Sequence, residues 1–137
     1  MKIRNYLMTI IVFAIAFGGA AIVSPAQNME HTVVTKEVKF AKGKSKATVS
    51  GSAKYGMSYV FELGAKEGQT MSLDLVGKNS QLTFSLTAPP DDDTVENAFG
   101  VTKWSGKVPK SGKYSIVVVM NDEHARSIPF TLEIAIK

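Results

Sequence analysis

Apolar and polar residues alternate along most of this chain with a period of two. Met57, Tyr59, Phe61 and Leu63 keep the alternation up to G-A-K-E-G-Q, Met71, Leu73 and Leu75 up to G-K-N-S, and Leu82, Phe84 and Leu86 up to A-P-P-D-D-D. Side chains two apart share one face of a strand, so each run predicts a half-buried β-strand ended by its turn signal. Val38 and Phe40 predict a strand between charged neighbours, Ala47 and Val49 a weaker one after K-G-K-S, and Phe130, Leu132, Ile134 and Ile136 a closing one. From Tyr114 to Met120 the pattern changes. Tyr114, Ile116, Val118 and Met120 form one apolar set and Val117 and Val119 another, which predicts a central strand covered on both sides. The preceding V-P-K-S-G-K reverses the chain, because Pro109 has its φ fixed and Gly112 accepts φ > 0.

After the first residues no window carries a 3.6-residue apolar stripe, so a helical core is not expected. Short strands spaced by turns predict an all-β fold, a single antiparallel β-sandwich of about seven or eight strands, with a small barrel as the alternative. Two connections exceed what a hairpin needs, residues 88–102 and 121–129. On a sandwich, binding chemistry sits in such end loops.

The start of the chain reads differently. Lys2 and Arg4 precede an apolar run from Leu7 to Phe17, and Ser24-Pro25-Ala26 offers small residues for cleavage after Ala26. This pattern predicts a signal peptide over 1–26, a flexible lead-in over 27–36 and the sandwich over 37–137, in a periplasmic or secreted protein. Contact with a membrane is expected only through an uncleaved signal. The chain has 16 basic and 12 acidic residues, but Lys2 and Arg4 leave with the leader and Arg126 is the one arginine beyond it. A nucleic-acid partner calls for a denser basic face with stacking aromatics, so none is expected. The chain has no cysteine, which removes disulfides, thiol catalysis and thiolate metal sites.

His31 and His124 are the sole imidazoles, and no G-x-S-x-G, H-E-x-x-H, P-loop or dinucleotide glycine pattern accompanies them. Neither an enzyme nor a cofactor is expected. Asp91, Asp92, Asp93 and Glu96 offer oxygens to Ca²⁺, but adjacent aspartates do not all aim at one centre, and a solvated acidic turn is the simpler reading. Trp104 is a sugar platform or, more simply, a core or rim residue, and Tyr114 packs at the start of the central strand. Asn121, Asp122, His124 and Arg126 form the most distinctive group. A guanidinium there suits a partner's carboxylate, since its planar fork makes paired charge-assisted bonds. The simpler alternative is a solvated loop whose Arg126 pairs with Asp122 or Glu123.

V-K-F-A-K-G-K-S-K-A-T-V-S-G-S-A-K, A-K-E-G-Q, V-P-K-S-G-K-Y, N-D-E-H-A-R and L-E-I-A-I-K occur in this order between Val38 and Lys137. In order and spacing they resemble the periplasmic inhibitors of g-type (goose-type) lysozyme, and more distantly the bacterial pre-peptidase C-terminal β-sandwich domains. The resemblance implies a partner, g-type lysozyme, whose glycan cleft an end loop blocks, protecting peptidoglycan against host defence. It also implies partner-binding roles for Tyr55, Asn121, Asp122, His124 and Arg126. Arg126 matches the second of two family loop arginines, Met120 stands at the first, and Tyr55 lies beside the position of the family tyrosine, Gly56. The alternative is a non-catalytic cell-envelope module that binds cell-wall glycan or another protein through the same loops.

Overall fold

The alternating runs become strands in the computed structural model, which describes residues 30–137; the expected signal peptide lies outside the described residues. Nine strands follow one another as β1 Thr32–Glu37, β2 Lys46–Ala53, β3 Met57–Ala65, β4 Thr70–Gly77, β5 Leu82–Ala88, β6 Asp93–Thr94, β7 Lys103–Lys107, β8 Gly112–Met120 and β9 Ile128–Ile136. They form two sheets, ordered β1-β3-β8-β5-β6 and β2-β9-β4-β7. The sets begun by Met57, Met71, Leu82, Tyr114 and Phe130 face the layer between the sheets. Phe61, Met71, Phe84, Ile116, Val118 and Leu132 are fully enclosed there. Burial of such side chains is worth about 1.5–3 kcal/mol each and is the main force holding a chain without disulfides.

Tyr59 joins the layers. Its ring lies against Phe61 and edge-on to Phe130, with centroids 5.1 Å apart in the second pair. Its hydroxyl, on β3, donates to the Ser52 carbonyl on β2 at 3.1 Å and accepts the Ser52 N–H at 3.2 Å. Gly51 makes room for this ring, since a Cβ there would lie 2.8 Å from it.

The all-β sandwich is as expected, and the structure differs from the sequence-based reading in five details. The segment expected as a flexible lead-in carries β1, so the sandwich begins at Thr32 and not at residue 37. β1 runs parallel to β3, in a fold expected to be antiparallel throughout. Backbone pairing holds it while most of its side chains stay exposed, so it has no alternation to betray it. Val38 and Phe40, expected as strand residues, follow it in the connection to β2. The strand count rises to nine because β1, the two-residue β6 and the edge strand β7 lack apolar periodicity. Lastly, β8 is central in its sheet, but Val117 and Val119 on its outer face are half-buried and not covered.

Candidate functional site

β8 begins with a side chain that closes on itself. Gly112, at φ +144°, sits against Pro89, and Tyr114 is fully buried. The Tyr114 hydroxyl donates to the Lys110 carbonyl at 2.6 Å and accepts the Lys110 N–H at 3.1 Å, locking the V-P-K-S-G-K turn from within. Ser111 accepts the Glu67 N–H at 2.8 Å and Lys113 pairs with Glu62 at 3.2 Å, so among the described residues the exposed Lys110 side chain is what the turn leaves without a partner.

The other end of β8 is built differently. Strand registers place three sheet-to-sheet connections together there: residues 54–56 between β2 and β3, 78–81 between β4 and β5, and 121–127 between β8 and β9. Asn121 donates its N–H to the Gln81 carbonyl at 3.1 Å. Asp122 accepts the Asn79 side-chain amide at 3.1 Å and the His124 N–H at 3.0 Å, while its carbonyl accepts the Ala125 N–H at 3.2 Å. Asn79 also accepts the Gln81 N–H at 2.8 Å, so the 78–81 turn is ordered before it grips the loop. The Asn79 amide first, then the His124 N–H, holds the Asp122 carboxyl below the usual carboxylate range.

With its first residues anchored, the loop turns Glu123, His124 and Arg126 to solvent. His124 Nε2 lies 3.3 Å from Glu123 Oε1, an exposed pair of little energetic weight. Among the described residues Arg126 makes no hydrogen bond or salt bridge. The simpler alternative, pairing with Asp122 or Glu123, does not form; the contacts of those carboxylates are with Asn79 and His124.

Tyr55 stands at the tip of the β2–β3 turn, where Gly56 takes φ +80°, and is 42% exposed. The pairs Ala53↔Ile128 and Ser58↔Val119 set this turn against both roots of the 121–127 loop. A shallow pocket of about 280 Å³ between them is lined by His31, Tyr55, Met57, Val119, Met120 and Asn121. The predicted residues therefore share one end but divide into two kinds. Asn121 and Asp122 hold the loop; Tyr55, His124 and Arg126 present themselves. Met120 is 3% exposed and points inward, so it offers a partner nothing, whereas Lys54 and Lys78 are exposed at the same end.

Two residues at this end escaped sequence reasoning. His31 reaches it because β1 pairs with β3, and its Nε2 lies 2.7 Å from Ser58 Oγ. Asn79 had no signal beyond a turn composition. Elsewhere, Trp104 is half-buried at the edge, with its ring over Gly106 and Nε1 donating to the Glu96 carbonyl at 3.2 Å. Among the described residues no three histidine or acidic side chains converge to hold a metal ion, the Asp91–Asp93 turn included.

An all-β sandwich with a loop anchored at one end defines the architectural class. Solved structures give the family. An inhibitor of g-type lysozyme from the periplasm of Aeromonas hydrophila superposes with a TM-score of 0.65 at 31% identity, over 77% of this chain and 98% of that one. A mutant of the Escherichia coli periplasmic inhibitor of g-type lysozyme gives 0.60 at 26% identity, over 77% and 99%. The chain belongs to the family of periplasmic inhibitors of g-type lysozyme. A pre-peptidase C-terminal domain of a Bacillus anthracis collagenase, with a TM-score of 0.52 at 13% identity over 78% of this chain and 96% of that one, shares the fold alone. Neither a family model nor a curated protein sequence matches the chain.

Proposed function

We propose that this protein inhibits g-type lysozyme by setting the 121–127 loop into the enzyme's glycan cleft, and so protects peptidoglycan. The observation that carries the reading is an exposed Arg126, without a partner among the described residues, on a loop anchored at Asn121 and Asp122 and flanked by Tyr55. Glycan-cleaving sites hold paired carboxylates, and a guanidinium delivered on an anchored loop makes charge-assisted bonds to them at reduced ordering cost. Tyr55 adds a rigid amphipathic contact beside it, the kind of side chain that anchors interfaces. With Met120 buried where the family has an arginine, the cationic role falls on Arg126, supported by Lys54 and Lys78.

The deciding assay measures turnover of peptidoglycan by g-type lysozyme against increasing amounts of the purified protein. Stoichiometric loss of activity supports the proposal. Unchanged activity at micromolar excess removes it, and retention on purified peptidoglycan in the same preparation would assign the loops to glycan instead.

A further inference from the structure

Strand registers put the β1–β2, β3–β4 and β7–β8 connections at the end opposite the 121–127 loop. Lys39, Lys42 and Lys44 lie in the β1–β2 connection and Lys46 opens β2, with no carboxylate between them. All four are exposed. Gly43 at φ +76° tightens the reversal, closed by the Lys44 N–H donating to the Ala41 carbonyl at 2.9 Å, and this sets Lys42 and Lys44 at the tip. The Ser45 carbonyl accepts the Ile136 N–H at 2.8 Å, which brings exposed Lys137 alongside, and Lys66 lies in the β3–β4 turn at the same end.

Counter-charges lie around the tip but not on it. Glu37, Glu62 and Glu67 are at this end, Glu62 paired with Lys113. Glu133 lines a shallow pocket beside Lys46, and Asp91, Asp92 and Asp93 sit at the same end on the β6 edge, opposite β1. Among the described residues none of Lys39, Lys42, Lys44 and Lys46 forms a salt bridge. At the opposite end Lys54, Lys78 and Arg126 are matched by Glu30, Asp122 and Glu123. The positive charge of the domain is therefore concentrated at the lysine tip.

The chemistry of the tip selects its partner. Ammonium groups are compact, hydrated point charges suited to a field of phosphates, whereas forked recognition of single anions favours arginine. The exposed large apolar side chains Val33, Tyr55, Val76 and Phe99 all lie elsewhere. The tip thus has no platform for stacking a base and no wedge to enter a lipid core. We infer that the lysine tip of the β1–β2 connection docks this protein on an anionic lipid bilayer through its phosphate headgroups. Docked in this way, the molecule holds the 121–127 loop away from the surface. This contact uses neither the leader nor the loop, and it stands whether or not lysozyme is the loop's partner.

Co-sedimentation of the periplasmically recovered protein with vesicles tests the inference. The expected result is binding to mixed phosphatidylglycerol and phosphatidylcholine vesicles at low salt, none to phosphatidylcholine alone, and release in half-molar salt, as the Debye length shrinks well below about 10 Å. Lys42→Gln with Lys44→Gln should weaken binding roughly ten- to thirty-fold. Lys54→Gln with Lys78→Gln removes equal charge at the other end and should change binding less than about two-fold if location, not net charge, governs. Thermal melts of both double variants confirm folding. The inference fails if anionic vesicles do not bind, if both double variants lose binding equally, or if salt does not reverse it. Tighter binding to heparin or duplex DNA than to vesicles would also overturn it.

Discussion

At the start of β8 the chain spends its polar groups on itself: the Tyr114 hydroxyl is used twice by the Lys110 backbone, and the ring is fully enclosed. At the end of the same strand the division is finer. Asn121 and Asp122 are used by Gln81, Asn79 and the loop backbone, and this leaves Arg126 and His124 outward. Both connections are short, polar and glycine- or asparagine-containing, so composition alone does not tell them apart. What separates them is where the hydrogen bonds go. A turn closed on a buried hydroxyl is a staple; a loop held by its first two residues leaves its other polar side chains to solvent.

That contrast can be broken from either side. Tyr114→Ala should be the most damaging change, costing about 3–5 kcal/mol of stability in denaturant unfolding, since it empties a buried aromatic site and frees two backbone groups. Its inhibitory strength, measured while the protein remains folded, should hold. Arg126→Ala should do the reverse. Binding to g-type lysozyme should fall by about 2 kcal/mol, roughly thirty-fold, with the melting temperature unchanged. If both variants lost stability and inhibition together, the two ends would not be distinct.

A smaller effect sharpens the division inside the loop. Asn79→Ala removes the side-chain donor to Asp122 while leaving every presented residue in place. Inhibition should weaken by less than about ten-fold, since an exposed charge-assisted bond is screened by solvent, and the His124 amide should exchange faster with solvent. Exchanging the pair, Asn79→Asp with Asp122→Asn, should restore both.

The smallest effect is the pH response. The folded state holds the Asp122 carboxyl below its ordinary value of 3.8, so its contribution to loop order is fully present above that value. It is lost only as pH falls through the lowered folded value. Protection of the His124 amide should therefore persist from neutral pH into the ordinary carboxylate range and decline below it. The Asp122→Asn variant should show no such decline.

Much of this was legible in the sequence wherever burial imposes a rhythm. The sets Met57–Leu63, Met71–Leu75, Leu82–Leu86, Tyr114–Met120 and Phe130–Ile136 all face the core as the alternation requires. Elements whose side chains stay wet left no such trace: β1 is held by backbone pairing to β3, and β7 shows the core mainly Trp104 and a glycine. The candidate loop was legible as a place. The roles within it were not, because Asn121, Asp122 and Arg126 are all polar and exposure alone does not distinguish an anchor from a contact.

The sequence by itself determined an all-β sandwich with β8 central and a polar loop at its end, because periodic burial and turn chemistry are local properties that residues carry with them. Tertiary structure decided what long-range pairing controls. It brought Asn79 to Asp122 across 43 positions, folded His31 and Tyr55 against the loop, and gathered the lysines at the far end. Those contacts depend on which strands become neighbours, and no single segment encodes its neighbour.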